Sequence, residues 1–212
     1  MSLYRQGYRL VAGLDEAGRG SWAGPVVAGA VLLPLGNDGL EQALDGVRDS
    51  KELSPLKRER LYDVIQTEAL AVGVGMVPPD RIDELGIVPA TKEAMALAIA
   101  RLNNEHPPDF LLIDFLGLPQ LDCPQKSIVH GDARSLSIAA ASIVAKVSRD
   151  RFMIEVDSQY PGYGFASHKG YGTPQHRAAL DRLGPSPIHR LSYAPVRAAM
   201  QGRKLTAVRS NC

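Results

Sequence analysis

A chain of 212 residues, 45% hydrophobic and 22% charged, is long enough to bury a core and of a size for one compact globular domain. It contains no run of about 18 apolar residues that would mark a membrane span. The formal charge of +1 conceals an asymmetry, because residues 146–212 hold eleven lysines and arginines against four acids, a net +7, and leave −6 for residues 1–145; a solvated surface and a polyanionic partner account for this equally well.

Residues 1–10, MSLYRQGYRL, show no apolar signal core, which points to the cytoplasm. Residues 8–14 (YRLVAGL) and 25–33 (PVVAGAVLL) read as two β-branched, apolar strands around a glycine-rich turn, a hairpin-like opening. Ser54 as N-cap and Pro55 at the first helical position start a helix over 55–69, with Leu56, Leu61, Val64 and Ile65 near one face. A short strand follows at 70–77 and a helix at 89–105, with Pro89 at its start. The run DFLLIDFL (109–116) is broken by a single acid, the pattern of a central strand buried on both faces. A strand at 126–129 leads into a long helix over GDARSLSIAAASIVAKVSRDRFMIEVDSQY, in which Ile138, Ala141, Ser142, Ala145 and Val156 form a small-residue packing stripe. Beyond it, 160–174 is a loop, 175–183 a helix, 184–195 a loop and 196–203 a short helix. There is no internal repeat. Cys123 and Cys212 stand far apart, match no metal spacing, and read as free thiols. The order predicts an α/β domain with a mixed sheet, strands one to three antiparallel neighbours and the later ones parallel through crossovers.

In such a sheet, parallel neighbours bring Asp15, Glu16 and Asp114 to one sheet end, where ligands gather. Successive strand residues point to opposite faces, but a bend into Ala17 and Gly18 lets both members of the adjacent pair reach one site. Asp132, 18 residues beyond Asp114, opens the long helix; alone it reads as an N-cap. Asp114 inside an apolar strand is costly to desolvate unless paired or bound to a metal. Carboxylates crowded at one sheet end repel, and a divalent cation relieves them. All-oxygen ligands select hard ions such as Mg²⁺ or Mn²⁺ over zinc. Pairs of such ions serve phosphoryl chemistry, and the basic final third suits a nucleic-acid backbone. Spacing alone carries the reading no further.

The segments GLDEAGRGSWAGPVVAGAV, DSKELSPLKRERLYDVI, GDARSLSIAAASIVAKVSRDR, YPGYGFASHKGYGTPQH and LGPSPIHRLSYAPV together resemble bacterial ribonuclease HII, the type 2 ribonuclease H, in order over roughly residues 9–197. The resemblance implies a ribonuclease H-like α/β fold: a mixed five-stranded sheet flanked by helices, with residues 1–184 as catalytic domain and 185–212 as a small helical extension packed on it. It implies a monomeric, metal-dependent endonuclease that uses two Mg²⁺ or Mn²⁺ ions. Such an enzyme cuts RNA in RNA–DNA hybrids and incises 5′ of single ribonucleotides in duplex DNA, leaving 5′-phosphate and 3′-hydroxyl ends; no membrane is involved.

In the family pattern Asp15, Glu16, Asp114 and Asp132 are the catalytic acids and metal ligands. Gly18, Arg19 and Gly20 match the segment that reads the ribose 2′-hydroxyl, a contact that tells RNA from DNA, and glycine admits close backbone approach. Tyr171 matches the tyrosine that stacks on the neighbouring sugar, and Lys51 the phosphate-contacting lysine. Without the resemblance these two read as a half-buried loop tyrosine and a solvated lysine at a helix start. The chain departs from the pattern at Ser21 and Trp22 (usually Pro and Leu), His130 (usually Lys), Gly86 (often Asn) and Phe115 (usually smaller). His168, His176 and His189 fall at irregular spacing in or beside turns and read as structural, not as zinc ligands. Two rivals are a type 3 ribonuclease H, against which the chain starts directly at strand one, and a non-catalytic nucleic-acid binder, against which all four acids are present.

Overall fold

The architecture is that of a computed structural model, which describes residues 2–34, 36, 37, 39–102 and 107–209, with side chains between residues 3 and 201 of those ranges. Cys212 lies outside the described residues. Five strands form one sheet: β1 (Val11–Ala17), β2 (Val26–Leu32), β3 (Ala71–Val77), β4 (Phe110–Asp114) and β5 (Gln125–Ile128), in the order β3-β2-β1-β4-β5. β1 pairs antiparallel with β2 from Ala12↔Leu32 to Ala17↔Val27 and parallel with β4 from Val11↔Phe110 to Leu14↔Ile113. β4 and β5 are also parallel. The α-helices among the described residues are α1 (Ser2–Arg5), α2 (Leu40–Ala43), α3 (Pro55–Glu68), α4 (Pro79–Leu85), α5 (Ile87–Ala100), α6 (Leu136–Glu155), α7 (Phe165–His168), α8 (Pro174–Leu183) and α9 (Ala194–Arg209).

The chain divides into two compact units. The first holds Met1–Ala17, Val27–Met76 and Thr91–Ser148, and the second Gly18–Val26, Val77–Ala90 and Arg149–Cys212. In the first unit, glycines let helices touch strand backbone. A Cβ at Gly13 or Gly29 would strike Ser137 or Ala141 of α6, and one at Gly73 or Gly75 would strike the carbonyls of Ala98 or Ala94 of α5. The small-residue stripe of α6 faces that contact, with Ile138, Ala141, Ser142 and Ala145 all buried. A core of Val31, Leu33, Leu61, Ile65, Ile143 and Val144 fills the layer beside it. In the second unit Ala23, Met153, Tyr163, Phe165 and Ala179 form one cluster, and Leu180, Val196 and Ala199 another, flanked by Trp22 and Tyr193. Among the described residues no helix is long and apolar enough to cross a membrane.

Several element expectations need correction. β1 starts at Val11, after a turn at Gly7 (φ 100°), and runs through both acids because β2 supplies ladder partners as far as Ala17. The segment before the second long helix is itself helical: α4 ends at Gly86 (φ 82°), and Pro89 sits in the first turn of α5, where it removes no needed donor. Residues 103–106 of that expected helix lie outside the described residues. On α3 the buried face is Arg58, Leu61 and Ile65, whereas Leu56 is 74% exposed. Strand four stops at Asp114 because Phe115 turns left-handed (φ 58°). The long helix begins only at Leu136, after a 3₁₀ turn over Gly131–Ala133, and gives way to another over Val156–Ser158. α7 interrupts the 160–174 loop, and the last helix spans Ala194–Arg209.

Candidate active site

The four acids all belong to the first unit. Asp15 and Glu16 end β1, and Asp114 ends β4, its parallel neighbour. Asp132 lies in the 3₁₀ turn that follows β5. Because the ladder with β2 continues through Glu16↔Ala28 to Ala17↔Val27, the pleat directs Asp15 and Glu16 to opposite faces; the expected bend comes after Ala17. Asp15 shares a face with Gly13 and, across the ladder, with Gly29, the two positions at which α6 meets the sheet. This helical roof explains why Asp15 is only 5% exposed.

The deeply buried acid is therefore Asp15, whereas Asp114 is half-buried at its strand exit, against the sequence-based expectation. Burial, then Glu16, then Asp114 and Asp132 hold the Asp15 carboxyl well above its ordinary range, although it accepts the Glu16 N–H at 2.7 Å. Asp132 is raised by burial, Asp49 and Asp114, against Lys51 and the Ala133 N–H. Asp114 is held by the Gly131 N–H at 2.8 Å. A Cβ at 131 would lie 2.6 Å from the Ile138 Cδ1, so a side chain there would have to displace the tip of Ile138.

Lys51 Nζ stands 3.8 Å from the Asp132 carboxylate and 3.9 Å from Asp49. Partial burial works against its charge, but Asp49, Asp15, Asp132 and Asp114 outweigh this and raise its pKa. Its turn is fixed from beneath. The Ser50 N–H donates to the Ser142 hydroxyl at 3.2 Å, and the buried Arg58 donates to the carbonyls of Ser50 (2.9 Å) and Leu53 (2.6 Å). Among the described residues, no three His, Cys, Asp or Glu side chains are already gathered as an ion-binding group. The donor chemistry nevertheless fits a hard divalent cation: Glu16, Asp114 and Asp132 all lie within electrostatic reach of the buried Asp15, and Asp132 is buried as well.

The remaining candidates, Gly18, Arg19, Gly20 and Tyr171, belong to the second unit. Two buried arginines that the sequence reading overlooked organise their loop. Arg149 donates to the carbonyls of Pro25 (2.9 Å), Ala23 (3.0 Å) and Lys169 (2.9 Å), and Arg190 to those of Gly24 (3.0 Å) and Arg19 (2.9 Å). Burial lowers both guanidinium pKa values, that of Arg149 to about 10, which still leaves Arg149 charged at neutral pH. The signal for Arg149 was present: it sits four residues after Ala145 and four before Met153, on the buried stripe of α6. Gly18 (φ 91°) has the Arg149 guanidinium where a Cβ would stand, whereas Gly20 has nothing within 4 Å. The fold requires glycine at 18 and does not require it at 20.

The Tyr171 ring lies beside Arg149, with the guanidinium carbon 5.3 Å from its centroid. Trp22, a departure from the family pattern, packs 5.3 Å from His176 under the Arg177 guanidinium at 4.7 Å. His176 touches both other histidines, stacking on His168 and placing its Nε2 3.0 Å from His189 Nε2, and the nitrogens of all three are engaged by protein groups. Gly86 (φ 82°, ψ 160°) takes a backbone conformation essentially confined to glycine, and His130 (φ 54°, ψ 48°) a left-handed one that histidine tolerates better than most residues.

A mixed five-stranded sheet with acids at the carboxyl ends of its parallel central strands defines a ribonuclease H-like α/β protein. The chain belongs to the ribonuclease HII family: the model described as Ribonuclease HII matches residues 12–196. A ribonuclease HII from Chloroflexus aggregans is 55% identical over 195 residues, 92% of this chain and 91% of the relative. The ribonuclease H2 of Pyrococcus horikoshii OT3 superposes with a TM-score of 0.77 at 27% identity, covering 92% of this chain and 98% of the other. The ribonuclease HII seen in complex with PCNA from Archaeoglobus fulgidus gives 0.69 at 27% identity, with 86% and 92% covered. Membership makes the chain an endoribonuclease, a hydrolase of the type 2 ribonuclease H kind.

Proposed function

We propose that the enzyme cuts the RNA strand of RNA–DNA hybrids and incises on the 5′ side of single ribonucleotides in duplex DNA, leaving 5′-phosphate and 3′-hydroxyl ends. Asp15, Glu16, Asp114 and Asp132 hold Mg²⁺ or Mn²⁺. The observation that carries this reading is Asp15, a buried carboxyl in the field of three other acids, an arrangement that is unfavourable until a cation joins it. Two such ions, when bound, supply an acidified water and counter-charge for the departing oxygen.

The residues of the chain bind and orient. Lys51, held cationic by the acids around it, meets a backbone phosphate near the cut. Gly20, with open space where a side chain would begin, admits the ribose and its 2′-hydroxyl against the Gly18–Gly20 backbone. Tyr171 stacks on the neighbouring sugar. Arg149 and Arg190 fix the carbonyls of residues 19–25 and so hold the sugar-reading backbone in shape.

The test is cleavage of a duplex with one ribonucleotide beside an all-DNA duplex, each with Mg²⁺, with Mn²⁺ and with chelator. Metal-dependent incision 5′ of the ribonucleotide alone is expected. Cutting that survives chelation, or equal cutting of both duplexes, overturns the proposal.

A further inference from the structure

In the second unit His168, His176 and His189 are all buried, and the first two stack at 4.4 Å between ring centres. Their partners determine where the protons sit. The Tyr171 carbonyl, 3.0 Å from His176 Nδ1, can only accept, so Nδ1 carries a proton. The neutral ring then offers a lone pair at Nε2, and His189 Nε2 must donate across the 3.0 Å between them. That leaves His189 Nδ1 as an acceptor, as the Ser186 N–H at 2.9 Å requires, with the Ser186 hydroxyl at 2.8 Å. His168 follows the same rule separately, donating from Nε2 to the Tyr163 carbonyl at 2.9 Å and accepting the Gly170 N–H at Nδ1.

One assignment satisfies every bond, and it has a direction: Ser186 to His189 to His176 to the Tyr171 carbonyl. A protonated imidazole donates at both nitrogens and accepts at neither, so charging His176 or His189 breaks the chain. Their surroundings oppose that charge. Burial first, then His168 and Arg177, depress His176 to about 4; burial, then His176 and His168, do the same to His189.

We propose that Ser186, His189 and His176 form a one-way hydrogen-bond relay that fixes the Tyr171 backbone and makes both histidines positioning residues for ribonucleotide recognition. The proposal rests on the reading of Tyr171 as a sugar contact. The relay meets the chain at the residue that must be held. The Tyr171 carbonyl also accepts the Thr173 N–H at 2.8 Å, and the Tyr171 N–H donates to the His168 carbonyl at 2.9 Å. On the preceding side, Gly170 (φ 78°) packs on the Ala23 carbonyl so closely that no Cβ fits, and its own carbonyl accepts the Trp22 N–H at 2.8 Å. The relay is made by side chains and enters from helix α8 and the 184–193 segment.

Three single variants, one double variant and one spectrum test it. His176→Phe keeps ring volume and loses the donor to Tyr171; His176→Asn keeps an N–H at the position of Nδ1. His176→Phe is expected to lower kcat at a single embedded ribonucleotide by about tenfold or more, the scale of a small misplacement, while duplex affinity stays unchanged, and His176→Asn is expected to restore most of the rate. In a Tyr171→Ala background, His176→Phe should add no further loss. If Tyr171→Ala itself cuts normally, the sugar-contact reading falls and the relay has nothing to position. If Tyr171→Ala is impaired but His176→Phe is not, or if the two losses multiply, the relay is overturned while the Tyr171 reading stands. Imidazole ¹⁵N spectra of the unmodified protein at neutral pH should show the proton on Nδ1 of His176 and on Nε2 of His189; the opposite tautomers or a charged ring overturn the proposal whatever the variants do.

Discussion

Gly13→Ala should damage stability and catalysis together, although residue 13 is no candidate for contact with substrate. The new Cβ would lie 2.5 Å from the Ile138 nitrogen and nearer still to the Ser137 carbonyl group. Ordinary contact is about 3.5–4.0 Å, so with the Ser137 carbonyl carbon at 2.1 Å β1 and α6 must part by about 1.4 Å or more, and the obstacles are backbone atoms that cannot rotate away. Overpacking of this kind costs about 1–3 kcal/mol, and in a chain of this size each kcal/mol moves Tm by about 2–4 °C. A fall of roughly 2–12 °C follows. Asp15 stands two residues further on the same face and moves with the strand, and a displacement near 1 Å at a reacting group lowers the rate on the order of a hundredfold. Thermal unfolding and hybrid cleavage measure the two effects. Gly117→Ala is the control, because its Cβ would meet nothing closer than Ser127 Oγ at 3.5 Å. A Gly13→Ala protein that melts and cuts like the unmodified one would refute both the close approach and its bearing on Asp15.

Gly20→Ala should leave Tm within the scatter of surface changes, about 0.5 kcal/mol, yet reduce cutting at an embedded ribonucleotide; undiminished cutting would show that the glycine is not there for the sugar. Asp15→Asn should abolish cleavage while raising stability in chelator at pH 7–8. The folded pKa of Asp15 lies above its unfolded value, so the folded state keeps a proton that the unfolded chain releases, and stability falls as pH rises through that window. The advantage of the variant over the unmodified protein should therefore shrink below about pH 4; a variant less stable at every pH would contradict the burial argument. Lys51→Ala should weaken hybrid binding and reduce the slope of log affinity against log salt by about 1, and an unchanged slope would remove Lys51 from the phosphate contacts.

Much of the fold was legible where a local rule acts alone. Ser54 and Pro55 start α3 as their chemistry dictates, and parallel pairing brings the ends of β1 and β4 together. What escaped depends on tertiary context. Leu56 has the apolarity of a core residue, but the buried position on α3 is taken by Arg58, whose guanidinium serves the carbonyls of Ser50 and Leu53. Likewise, the packing stripe of α6 skipped from Ala145 to Val156 because arginine does not read as core. Arg149 is nevertheless fully buried, its charge dispersed over three carbonyls in place of a carboxylate. The histidine relay was illegible for the same reason: Ser186, His189, His176 and Tyr171 acquire direction only once their nitrogens and oxygens are within bonding distance.

The misplaced desolvation is the most instructive case. An acid in an apolar run invites the inference that it is buried, which singled out Asp114. A strand exit, however, remains open to water on one side, and Phe115, which follows Asp114 in a left-handed turn, is itself exposed. Asp15 is buried because of its neighbours on the same face: Gly13 two residues before it and Gly29 opposite it in register. Both lack the side chain that would hold α6 away. Glycine beside an acid on one sheet face thus has a consequence that neither residue has alone. It brings a helix onto the strand, the helix excludes water, and the excluded water leaves the carboxylate in a field of like charge that a cation can relieve. Gly13 and Gly29 act on catalysis through that chain of causes, at a distance from any substrate.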